Sequence, residues 1–143
     1  MTQKFKSRRS GSAILEACFV FPVLLWISFG AVEFGHFFYL KHTLQGAARE
    51  GARAAAVPGS LNSNVTTAVN DSMSAAGIAS NKYTTAVRNS TDTANITLSG
   101  STAAGTAILV KVEATWSVVG IRPIGFIGSS KIVKGQTTMR KEG

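Results

Sequence analysis

Apolar residues fill the first third of this chain almost without interruption, and in the last third they alternate with polar ones. Between Arg9 and Glu33 lie 23 residues with one charge, Glu16. At about 1.5 Å per residue a helix of that length covers roughly 35 Å, enough to cross a bilayer core. Helical spacing continues beyond Glu33, with Phe34, Phe37, Phe38, Leu40 and Leu44 at three- and four-residue intervals. Ala47, Ala48, Gly51, Ala52 and Ala54 to Ala56 then form a surface with little side-chain bulk, and Pro58-Gly59 stops the pattern. The expected element is one helix over 12–57, close to ~70 Å long, with its membrane anchor over about 12–33. Pro22 falls inside it and costs a backbone hydrogen bond without ending it.

Residues 60–79 predict a short amphipathic helix, capped by Ser63 or Asn64, with Val65, Ala68, Val69, Met73 and Ala76 on one face and Gly77 past its end. A weak alternation at Tyr83, Thr85 and Val87 predicts a strand, and Ile96 with Leu98 another. The clearest strand pattern covers 106–119: Ile108, Val110, Val112, Ala114, Trp116 and Val118 face one way, and Lys111, Glu113, Thr115 and Ser117 the other. Residues 131–140 predict a last strand. The loop between, Gly120 to Ser130, is unusually apolar. Core cover is one reading of it, and contact with a neighbouring subunit or a membrane surface the other. The fold class is α+β: a long N-terminal helix, half membrane-embedded, packed at its outer half on a small antiparallel sheet. Three parts follow: a basic leader over 1–11, the helix over 12–57, and a small domain over 58–143.

The small-residue zone has two readings. Gly46, Ala47, Arg49, Glu50, Gly51 and Arg53 make a helix-packing segment, in which small residues allow either close helix pairs or a helix lying flat on a sheet. The flat arrangement is favoured for Ala52 to Ala56, and both stay open for Gly46 to Gly51. Glu50 and Arg53 are spaced to pair at i, i+3.

Charge refines the picture. The 143-residue chain carries a formal net charge of +8, and removing the four basic residues before Gly11 lowers it to +4. Nucleic-acid binding therefore loses most of its support. Lys131, Lys134, Arg140 and Lys141 remain as a basic cluster, read as a solvated strand face. Lys4, Lys6, Arg8 and Arg9 place the N-terminus in the cytoplasm and the rest outside it. An ordinary secretory signal ending near Ser28-Phe29-Gly30 is the alternative, opposed by Glu16 and Pro22 within its apolar run. Cys18 is the only cysteine and excludes an intrachain disulfide. His36 and His42 do not share a helix face, and neither a metal site nor a cofactor is expected. No nucleophile–base set and no phosphate loop is visible, so the chain is not expected to be an enzyme.

The basic leader, Gly11, Ser12-Ala13-Ile14-Leu15-Glu16 and the apolar run resemble the processing signal of type IV prepilins and pseudopilins. Phe21-Pro22-Val23-Leu24-Leu25, Gly30-Ala31-Val32-Glu33-Phe34-Gly35, and the run from Leu44 to Ala55 narrow the resemblance to TadE-like proteins, minor pilins or pseudopilins of the Tad (Flp) tight-adherence pilus. The resemblance implies cleavage by a prepilin peptidase between Gly11 and Ser12, with Glu16 as the residue that docks the subunit into a filament. The implied partners are other pilin or pseudopilin subunits, the peptidase, the inner-membrane assembly platform and membrane lipid. The implied location is the bacterial inner membrane, as a single-pass protein, with possible entry into a surface pilus.

Cleavage would free the Ser12 amine, whose ordinary pKa is about 7.7–8.0. A buried Glu16 carboxylate is tolerable when paired with that ammonium, in its own chain or an adjacent subunit. The bland reading of Glu16 is a carboxylate reaching to the interface. Two further functions stay open: an unprocessed single-span protein that scaffolds the secretion apparatus, and a binding module at the pilus tip.

Overall fold

In the computed structural model, which describes residues 10–142 and the side chains from Ser12 onward, one helix dominates. Helix α1 runs Ser10–Ala56, 47 residues, with Pro22 inside it. The leader residues Lys4, Lys6, Arg8 and Arg9 lie outside the described residues. Helix α2 follows at Asn62–Ala75, then a single 3-10 turn at Ser80–Lys82. Strands β1 (Thr84–Asn89), β2 (Ala107–Thr115) and β3 (Ile132–Arg140) form an antiparallel sheet in the order β1-β2-β3, and the short helix α3 (Trp116–Val119) continues from β2. The α+β class expected from the pattern is the observed one.

The core forms where the outer half of α1 meets the sheet and α2. Leu40, Leu44, Ala47, Ala48, Ala52 and Ala55 of α1 are buried against Ile108, Val110 and Val112 of β2 and against Val65, Val69 and Met73 of α2. Two glycines set how closely these layers approach. A Cβ on Gly51 would meet Val69 and Val65 of α2 and Val110 of β2 at once. That residue touches a helix on one side and the sheet on the other. A Cβ on Gly135 would strike the α1 backbone at Leu44 and Gln45. Beside it the Gln45 amide donates to the Gln136 carbonyl (2.9 Å) and accepts the Gln136 N–H (3.3 Å), covering part of the exposed edge of β3.

Both ends of the α1–α2 connection are tied by side chains. The Ser60 hydroxyl donates to the Ala55 carbonyl, and Lys141 Nζ donates to Val57 O (2.6 Å), Ala55 O (3.3 Å) and Ser60 Oγ (2.6 Å). A cation at a helix C-terminus satisfies orphan carbonyls and complements the dipole. Lys141 is thus 4% exposed and belongs to the helix cap, which corrects its reading as part of a solvated strand face. Neither Ser63 nor Asn64 is the N-cap of α2: the helix begins at Asn62 after Leu61, and Asn64, already inside the first turn, reaches back to accept the Leu61 N–H. Gly77 ends α2 as foreseen, with its N–H on Ser74 O and that of Ile78 on Met73 O, a Schellman arrangement.

Two strand expectations change. Ile96 and Leu98 form no strand of their own: Ile96 makes one bond to Val87, and the Leu98 N–H is taken by the Asn62 side chain. Strand β2 stops at Thr115 because Trp116 turns inward against His36 and Phe37 (ring centroids 5.7 and 5.6 Å apart), leaving Val118 exposed in α3.

Candidate functional site

Three regions of α1 carry the residues of interest. The first is its N-terminal end. Gly11 and Ser12 lie within the first turns of the helix, Ser12 exposed, and Glu16 is exposed with no ion pair to another described residue. Ser12 and Glu16 are four residues apart on one helix and so share a face. From Ser12 to Phe29 every residue is exposed in the isolated chain. This segment is long and apolar enough to cross a membrane, with a mean hydropathy of 2.0 over its best window. A helix that is apolar all round requires lipid or other apolar helices as its surroundings.

The second region is the junction at Glu33. This carboxylate is completely buried (0% exposed), and no cation pairs with it among the described residues. Its Oε2 accepts the N–H of Gly125 (3.0 Å) and of Phe126 (3.2 Å), and its Oε1 accepts that of Ile127 (2.8 Å). Successive N–H groups turned to one side make an anion cradle, replacing the water that burial removes. Gly125 adopts a φ of 80°, the left-handed conformation that aims its N–H inward. Next to it His36 Nε2 donates to the Val119 carbonyl at 3.0 Å, fixing the start of the same loop. The loop from Gly120 to Ser130 is thereby fastened to α1 at the outer end of the apolar segment.

The third region is the helix-packing zone. Ala47 and Gly51 are buried in the domain core. Arg49, Glu50 and Arg53 are exposed on the opposite face, where Arg53 Nε lies 3.5 Å from Glu50. Gly46 is half-buried, and a Cβ there would meet nothing within 4 Å. The sequence-predicted residues are therefore not gathered in one place: Glu16 stands at one end of α1 and Gly51 near the other. The part Glu33 plays in holding the Gly120–Ser130 loop was missed. The signal was a lone carboxylate closing an apolar run, together with a glycine-rich loop whose backbone donors had no strand to pair with.

Away from α1, Asp92 closes the turn after β1 in a left-handed conformation (φ 56°). It accepts Arg88 Nη1 at 2.6 Å and Lys111 Nζ at 3.2 Å, and Lys111 also meets Glu113 at 3.1 Å. Hydrogen bonding from Arg88 outweighs burial and holds the Asp92 carboxyl below its ordinary range, while the bonds to Glu113 and Asp92 raise Lys111. Among the described residues no group of three or more His, Cys, Asp or Glu side chains converges to hold a metal ion.

The class the fold defines is an α+β domain carried on a long helix whose apolar N-terminal half could span a membrane. The family model for TadE-like protein matches residues 11–53, a segment holding Glu16, Glu33 and the packing zone. That stretch of the chain is TadE-like, consistent with a protein associated with the Tad pilus; α2, the sheet and the Gly120–Ser130 loop lie outside the match. No curated protein and no solved structure matches the chain.

Proposed function

We propose that the chain is a minor pilin or pseudopilin that takes part in assembling a Tad pilus for surface adherence. The observation that carries this reading is the division of α1 within the TadE-like segment: its first half is apolar and uncovered, and its second half is packed on the small domain. A filament subunit needs that division, because the naked half becomes the contact with lipid before assembly and with other helices after it. The chain acts as a structural subunit and not as a catalyst. The basic leader keeps the N-terminus in the cytoplasm and the domain on the far side of the inner membrane. A prepilin peptidase removes residues 1–11, and the freed amine of Ser12 becomes the partner of Glu16.

Intact-mass measurement tests this. Protein from cells with an active prepilin peptidase is expected to lack Met1 to Gly11 and to begin at Ser12. A mass that retains Met1 would instead support the unprocessed single-span scaffold.

A further inference from the structure

The Gly120–Ser130 loop presents apolar side chains that the fold does not absorb. Ile127 packs on the core, but Ile121 and Phe126 are 51% and 48% exposed. The Phe126 ring stands edge-on to Trp26 (5.6 Å) and is stacked with Phe34 (6.4 Å), over the bare backbone of Gly30. The loop tip therefore rests on the end of the apolar segment and not on the sheet. Its position is fixed, since Glu33 binds three consecutive N–H groups of the tip. Arg122 is exposed beside Gly125 and makes no ion pair among the described residues.

We infer that this loop is an interfacial lipid anchor, with Ile121 and Phe126 entering the outer headgroup–acyl boundary beside Trp26, and Arg122 at the level of the phosphates. The inference rests on reading α1 as a membrane span. A helix from Ser12 reaches Glu33 after roughly 33 Å, the thickness of a hydrocarbon core, which puts Glu33 at the outer boundary and Trp26 about 10 Å inside it. A side chain touching both Trp26 and Phe34 must then share that depth, and interfacial anchors bury their apolar faces about 5–10 Å. An unpaired arginine beside apolar groups suits an anionic lipid surface. Continuity with the span thus selects lipid as the occupant over a second protein chain.

The test uses the full-length chain in nanodiscs of phosphatidylcholine and phosphatidylglycerol, with a fluorophore on single cysteines and nitroxide-labelled lipids as quenchers. Native Cys18 reports on the span. Ile121→Cys, and separately Arg122→Cys, report on the loop in a Cys18→Ser background. Ser101→Cys reports on the membrane-distal end, since Gly105 bonds to Lys141 at the far cap of α1. The expected result is loss of emission at 121 and 122 with a nitroxide near the top of the acyl chain, loss at Cys18 with a deep one, and neither loss at 101. Full emission at 121 and 122 with Cys18 quenched would overturn the anchor and leave the span intact. Energy transfer between two labelled copies at 121, without lipid quenching, would assign the patch to a neighbouring subunit. An unquenched Cys18 would remove the span, and the anchor with it.

Discussion

Glu33 and Asp92 are both carboxylates, held by opposite means. Glu33 is satisfied by neutral backbone donors, so its worth lies in geometry: three bonds to consecutive residues define where a loop sits. Glu33→Gln keeps the size but turns one acceptor into an NH2 group facing N–H donors, which strands buried polar groups. Amide hydrogen exchange at Gly125 to Ile127 should quicken in that variant while the β2 amides stay protected. Unchanged exchange at the loop would mean the carboxylate is not its fastener. Asp92 is satisfied by cations, so its contribution depends on pH. Its folded pKa is depressed below the ordinary 3.8, chiefly through Arg88. The stability it adds is therefore complete above that value and is lost as pH falls through the lower folded value. Lys111, raised above 10.5 mainly by Glu113, adds stability that is complete below 10.5 and lost as pH rises through its folded value. The melting temperature of Asp92→Asn should accordingly fall less than that of the parent on acidification below about pH 4. Parallel acid limbs for the two proteins would contradict this role.

At the scale of elements, the meeting of α1 with β3 is set by the absence of a side chain. Gly135 lies against the α1 backbone at Leu44 and Gln45, and backbone atoms cannot rotate away as a side-chain tip can. Gly135→Ala should force the helix off the sheet and cost more than the ~1–3 kcal/mol usual for overpacking a core. Denaturant unfolding followed by fluorescence of the buried Trp116 would measure it; a cost near zero would show that the two elements slide apart freely. The pattern along the chain announced α1, β2 and the end of α2 because each is local. Alternation at Ile108, Val110 and Val112 needs only a period of two, and Gly77 needs only its own φ. Capture of backbone donors and acceptors by distant side chains was not legible. Asn62 takes the Leu98 N–H where a strand was expected, and Ser60 and Lys141 take carbonyls at the end of α1. These partners are separated by 36 residues or more in two of the three cases, and no periodicity carries that information.

For the whole molecule, the decisive fact is that α1 has two environments. Its C-terminal half is covered by its own domain, and from Ser12 to Phe29 it stands exposed among the described residues, touched only near its end by Phe126 on Trp26. Under the proposed function that uncovered half is where assembly is controlled, and Glu16 is its only charge between Arg9 and Glu33. Glu16→Gln and Glu16→Val should insert and be cleaved as well as the parent, since either change lowers the cost of placing the segment in lipid. Pilus formation and co-purification with the other pilus subunits should nonetheless be lost, because the pairing with the Ser12 amine is gone. Normal piliation by a cleaved Glu16→Val protein would reduce Glu16 to a residue that merely reaches the interface.

The sequence by itself determined the long helix, its apolar first half, the central strand and the α+β class. Each follows from side-chain periodicity and hydrophobicity, which act between near neighbours. It also displayed Glu16, Gly46 and Gly51 through resemblance and spacing. Only the tertiary structure decided the fate of Lys141, which caps a helix that ends 85 residues earlier in α1. It alone decided that the Gly120–Ser130 loop returns to the end of the apolar segment, held there by Glu33. The reason is physical: a carboxylate that closes an apolar run must find donors when it is buried. The chain could supply them only from backbone more than 90 residues away, brought near by the packing of β2 and β3 on α1.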